Sequence, residues 1–201
     1  MIAGNEPVRI GRVALRQPEM MLVQYMPIHM AGVGTRVPKN LISFAPLIEI
    51  AMQERRPDQY VYLTAKHMYV TPERMFNRPG WHIDGFGTDD VNYVWSDRAP
   101  TEFCVQSFDL SDDCAESMSQ MEAQARPENI RTYGENMLLR LDPTIVHRAP
   151  VSVAPGFRTF VKISLSRSIY NLRGNAHNYL FDYNWPMHER AEARNHPAVY
   201  A

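Results

Sequence analysis

In the stretch RPGWHIDGFG, residues 78–87, His82 and Asp84 stand two apart among apolar residues and glycines. On an extended strand, residues i and i+2 face the same way. An imidazole nitrogen and a carboxylate oxygen would then project side by side. A buried carboxylate is costly unless a cation meets it. The pair is therefore either a hydrogen-bonded structural pair or two arms of a metal site. Chance supplies about a third of one His-x-Asp in a chain of this composition, so the spacing alone decides nothing. A metal site needs a third arm. Two imidazoles and one carboxylate on one face of an octahedron leave three positions open, a donor set that suits non-haem Fe(II) and oxygen chemistry.

Of the seven histidines, His147 falls in a second short strand late in the chain, within LLRLDPTIVHRAP. Arg158 follows, near the start of FRTFVKISLSR, residues 157–167. Alternation puts Arg158, Phe160, Lys162 and Ser164 on one face of that strand, and Thr159, Val161, Ile163 and Leu165 on the other. The apolar face suits packing on helices; the first face would look inward. A buried arginine needs an anionic partner, and its planar fork matches a carboxylate.

The elements that must position these residues read as mostly short strands. PVRIGRVALR is a candidate first strand. Residues 40–56 read as a helix with Asn40 as cap, with Pro46 forcing a kink or a later start. Residues 59–71 are a strong strand, and GWHIDGF is a short one between glycines. Residues 91–97 and 101–110 read as two strands joined in a hairpin by Arg98-Ala99-Pro100. Residues 111–126 are the clearest helix, opening at Ser111 and stopping before Pro127. NIRTYG, NMLLRL, TIVHRAP and 157–167 complete the strands. The pattern predicts a mainly β fold with packed helices, a jelly-roll or barrel-like core.

The series His82-x-Asp84, His147, Arg158 resembles the metal triad and co-substrate arginine of the Fe(II)/2-oxoglutarate-dependent dioxygenases. The phrases RPGWHIDGF, LLRLDPTIVHRAP and FRTFVKIS are similar to that superfamily, over about residues 60–167. The resemblance implies a double-stranded β-helix (cupin-like) core. It implies Fe(II) on His82, Asp84 and His147, and 2-oxoglutarate with its far carboxylate on Arg158. O2 would take the last position, with succinate released and hydrogen taken from a substrate C–H bond. Lys162 would share the co-substrate carboxylate or meet an acidic substrate; the alternative is a surface lysine. Tyr93 and Trp95 share one strand face and either line the pocket or belong to ordinary core. Lys66 and His67 point opposite ways, and either can be the one facing the cavity. Arg148 should turn from the metal and form a salt bridge at the rim. Arg167 competes with Arg158 for the co-substrate. His177 and His188 read as exposed or structural.

At 201 residues the chain is expected to be one domain. Residues 1–59 would support the core, and 168–201 would wrap it, cover a pocket mouth or make a homodimer contact. A formal net charge of −1 gives no global pull toward nucleic acid or anionic membrane. A small-molecule substrate is favoured, and a nucleobase also fits. Two cysteines, no long apolar run and no signal-peptide core point to a cytoplasmic protein. The competing functions are a cupin-like metalloenzyme that does not use 2-oxoglutarate and a non-catalytic β-sandwich module.

Overall fold

A computed structural model describes residues 2–190. The elements run β1 (Ile2–Ala3), β2 (Val8–Arg12), β3 (Met21–Met30) and β4 (Gly34–Thr35), then a 3-10 turn (Lys39–Phe44) leading into α1 (Ala45–Met52). Next come β5 (Tyr60–Val70), β6 (Val91–Ser96), β7 (Glu102–Cys104), β8 (Phe108–Asp109) and α2 (Cys114–Gln124). The last are β9 (Ile130–Arg131), β10 (Met137–Leu141), β11 (His147–Arg148) and β12 (Gly156–Ser166). The fold is mainly β, and every pairing among these named strands is antiparallel.

Seven strands form the large sheet in the order β2-β10-β6-β12-β5-β3-β4. A three-stranded sheet has the order β11-β7-β9, and β1 pairs with β8. The large sheet carries apolar packing on both faces, with different partners on each. Its outer face carries Val61, Leu63, Tyr93, Trp95, Val161, Ile163 and Leu165 against Leu41, Phe44, Leu47 and Ile48 of the helical segment. Its inner face sends Val94, Leu139, Leu141 and Phe160 against Phe103 of β7 and Ile145. The large and small sheets therefore pack face to face through this second layer. A third cluster, with Trp81, Ile83, Cys104, Phe108, Met121 and Val146, joins the 81–84 loop to α2. The gap between the sheets is where the inward residues of β5, β6 and β12 meet the loop carrying His82.

The helices begin later than their sequences suggest. α1 starts at Ala45 with Pro46 in its first turn, where a missing N–H costs nothing. Asn40 is not its cap; it lies inside the 3-10 turn, which has no side-chain cap bond. In α2 the cap is Asp113 rather than Ser111: its Oδ1 accepts from Ala115 N at 2.9 Å and Glu116 N at 2.8 Å. The hairpin expected between residues 91–97 and 101–110 does not form. β6 pairs with β10 and β12, whereas β7 pairs with β11 and β9. Ala99, with φ 45°, turns the chain out of the large sheet into the small one. The 101–110 segment is itself split into β7 and β8.

Residues 168–190 cross the edge of the large sheet. Buried Asn178 donates to Pro27 O at 2.8 Å and Arg36 O at 2.9 Å. Tyr170 stacks on Tyr62 at 4.1 Å and donates to Asp90 Oδ2 at 2.6 Å. This part of the extension bonds to the sheet edge through Asn178, and residues 168–172 line the cavity. Residues 191–201 lie outside the described residues.

Glu54, just past α1, ties the helix to the sheet. It accepts from Arg140 Nε at 2.7 Å, Arg140 Nη2 at 2.5 Å and Tyr93 Oη at 2.5 Å. The Arg140 bonds hold its carboxyl below its ordinary 4.5, against the opposing push of burial. A carboxyl whose value is depressed on folding stabilises above its unfolded value, and that stability is lost as pH falls through the folded one. Glu54→Gln is therefore expected to be less stable than wild type at neutral pH, with the gap closing as pH drops below 4.5. Urea unfolding across that range checks this; a gap independent of pH would contradict it.

Candidate metal centre

The HIDG stretch is not a strand. Residue 82 makes one isolated bridge with residue 147: His82 N donates to His147 O, and His147 N to His82 O, both at 3.0 Å. The 81–84 segment nevertheless keeps the expected alternation, with Trp81 and Ile83 packed in the apolar cluster. His82 and Asp84 enter the cavity from the other side. A turn follows, closed by Thr88 N to Gly85 O at 2.9 Å. Gly85 is required there: its φ is +73°, and a Cβ would meet Asp90 Cβ at 2.8 Å.

The three side chains converge. One ligand atom from each of His82, Asp84 and His147 lies within 4.8 Å of the other two. Both imidazoles are oriented by the same device. His82 Nδ1 sits 2.9 Å from Gly80 O, and His147 Nδ1 sits 3.0 Å from Ile145 O. A backbone carbonyl can only accept, so each Nδ1 carries a proton, which leaves Nε2 as the atom each ring offers to a ligand. This is the outer-shell arrangement that prepares a histidine for a metal. His147 Nε2 lies 3.3 Å from Asp84 Oδ2. Burial, with His147 alongside, pushes the His82 imidazole down to about 3, so it is neutral at physiological pH.

Asp84 is held from the opposite sheet. Lys162 Nζ, on β12, donates to Asp84 Oδ2 at 2.9 Å and also reaches Tyr25 Oη at 2.9 Å. Burial pushes the Asp84 carboxyl up; Lys162 and His147 outweigh it and keep the group well below its ordinary value. Burial likewise pushes the Lys162 amine down, and Asp84 with Tyr25 reverses the direction. Tyr25 is presented by a bulge in β3, where the register with β5 shifts between Val23 and Met26, and its φ is +48°. Two buried imidazoles, each with Nδ1 bonded to backbone, and an ionised carboxylate make a donor set that suits a divalent cation, so the residues fit Fe(II).

Arg158 enters the same cavity and is 2% exposed. Its Nε donates to the carbonyls of Arg98 and Ala99 at 3.1 Å, and its Nη1 to Asn77 Oδ1 at 3.0 Å. Among the described residues no carboxylate forms a salt bridge with it. Burial lowers the guanidinium to about 10, which leaves it charged at neutral pH. A buried cation bonded only to neutral groups is poised for an anion. The cavity holds about 530 Å3, within the usual range for a small-molecule site.

The remaining sequence candidates separate by face. Tyr93 does not line the pocket. Strand alternation sends Asn92 and Val94 inward, and turns Tyr93 outward onto Glu54 and Trp95 outward onto Val13 O. Lys66 faces the cavity; His67 faces away, with Nδ1 2.9 Å from Thr159 Oγ1. Arg148 pairs with Glu102 at 2.8 Å and stacks over Trp81 at 4.1 Å. Arg167 is half-exposed and pairs with Asp58 and Asp89, outside the cavity. His177 and His188 are exposed. No local pattern marks Tyr25, Asn77, Asp90 or Tyr170, which reach the site through a bulge, a loop and the extension.

No family model matches the chain, and no curated protein or solved structure matches it. The arrangement of side chains alone carries the chemistry.

His82→Ala and His147→Ala are each expected to weaken Fe(II) affinity by about 100-fold or more, because loss of a ligand exceeds loss of an outer-shell partner. Tyr93→Phe should leave metal affinity unchanged and cost about 1 kcal/mol of stability. Metal content after anaerobic dialysis, with urea unfolding alongside, measures both. Equal metal loss in all three variants would contradict the assignment.

Proposed function

We propose that the protein is an Fe(II)- and 2-oxoglutarate-dependent oxygenase built on a double-stranded β-helix core. It hydroxylates a small molecule or base in the cytoplasm, where two free cysteines, one of them buried, are at home. The observation that carries this reading is one cavity holding both features: the His82, Asp84 and His147 donor cluster, and Arg158, buried beside neutral partners only. Two facing antiparallel sheets with the site between them support the core assignment.

His82 and His147 would hold Fe(II) through Nε2, and Asp84 through its carboxylate. Arg158 would pair with the far carboxylate of 2-oxoglutarate, its fork fixed by Asn77 and the two backbone carbonyls. When bound, iron with 2-oxoglutarate and O2 supplies oxidative decarboxylation and C–H oxidation: one oxygen atom enters succinate, one enters the hydroxylated product, and CO2 leaves. Lys162 keeps Asp84 ionised and oriented. Tyr170, anchored on Tyr62 and Asp90, narrows the mouth and limits water.

Adding Fe(II) and 2-oxoglutarate anaerobically is expected to give a visible metal-to-ligand charge-transfer band, with succinate formed on admission of air. Arg158→Ala should weaken 2-oxoglutarate binding by about 30-fold or more while retaining iron. Iron binding with no band and no succinate would overturn the reading. Metal-dependent turnover that needs no 2-oxoglutarate, in wild type and in Arg158→Ala alike, would point to a metalloenzyme that does without the co-substrate.

A further inference from the structure

The proposed chemistry gives the cavity lysine Lys66 no task. Lys66, Arg78, Arg148, Arg158, Lys162 and Arg190 line the cavity, against the carboxylates of Asp84 and Asp90. Arg148 is matched by Glu102 and Lys162 by Asp84. A divalent iron and a dianionic co-substrate cancel each other, so their joint binding brings Lys66 no counter-charge.

Lys66 stands between two of these cations, Arg158 and Lys162. In the β5–β12 register it lies opposite Phe160, between the positions paired with Arg158 and Lys162, so all three point from one face. It is half-buried, and its Nζ donates to the Phe76 carbonyl. Among the described residues no carboxylate lies within salt-bridge distance of it. Burial first, then Lys162 and Arg158, lower its amine to about 8, which reports a positive local field. A lysine in such a place is costly to the fold and favourable to an incoming anion.

We propose that Lys66 anchors an anionic group of the primary substrate, which makes that substrate a small organic acid or phosphate ester. The assignment rests on the oxygenase reading only in giving Arg158 to the co-substrate. A cavity of about 530 Å3, lined in part by Tyr170 and its neighbours, fits a small anion better than a continuous polynucleotide.

The test uses the full chain and two probes, inorganic phosphate and acetate, in calorimetric titrations. They are run on protein loaded anaerobically with Fe(II) and 2-oxoglutarate, and on metal-free Arg158→Ala protein, where the co-substrate arginine is gone. One of the anions is expected to bind both forms. Lys66→Gln should weaken that binding about tenfold or more and change 2-oxoglutarate affinity less than twofold, whereas Lys66→Arg retains it. Tighter phosphate points to a phosphate ester, and tighter acetate to a carboxylic acid. If neither anion binds, if a single-stranded oligonucleotide binds in preference to both, or if Lys66→Gln damages 2-oxoglutarate binding as Arg158→Ala does, the assignment is overturned. If wild type fails to bind 2-oxoglutarate, the oxygenase reading falls, while the titrations of metal-free protein still decide the role of Lys66. Circular dichroism of each variant separates lost binding from lost folding.

Discussion

Two backbone hydrogen bonds between His82 and His147 hold the candidate centre together. They fasten a loop of otherwise irregular structure, residues 71–90, to the edge of the small sheet. Because the two residues are directly paired, their rings come within 4.5 Å between centroids, and each ring is then fixed by the carbonyl two residues before it. Asp84 follows from the same anchor, one alternation further on. Without this bridge the carboxylate would have no reason to stand where Lys162 can reach it from the large sheet. The centre is thus a clasp between two sheets, closed on one side by backbone and on the other by an ion pair.

That clasp also explains how polarity is distributed across the large sheet. Its outer face packs its apolar centre on α1 and the 3-10 turn. Its inner face divides: Val94, Leu139, Leu141 and Phe160 pack on the small sheet, and Lys66, Arg158, Lys162 and Asn92 face the cavity. Buried cations of this kind weaken a fold unless anions complete them. Lys162 has Asp84; Arg158 and Lys66 have only neutral oxygen atoms to bind. The protein carries this cost at one place, which is the place where its donor atoms gather.

Much of this was legible in the residues. The period-2 pattern of 157–167 placed Arg158 and Lys162 inward and Val161, Ile163 and Leu165 against helices, and the structure has them so. Pro46 signalled the late start of α1, and the alternation after His147 gave the Arg148–Glu102 rim pair its direction. What failed had long-range causes. Arg98-Ala99-Pro100 has the length of a hairpin turn, but the chain leaves one sheet for another there, a choice made by partners elsewhere in the sequence. Tyr93 looked like a pocket residue because its type suits one; its face was set by which side of β6 met the helix. Tyr25 depends on a bulge, and Tyr170 on the path of the extension, and neither leaves a local signature.

The most direct test of the central claim is anomalous diffraction at the iron edge from crystals grown anaerobically with Fe(II) and 2-oxoglutarate. The account predicts one anomalous peak bounded by the Nε2 atoms of His82 and His147 and the Asp84 carboxylate, with a 2-oxoglutarate carboxylate on Arg158. Crystals showing no peak there, with Asp84 still bonded only to Lys162 and His147, would contradict it.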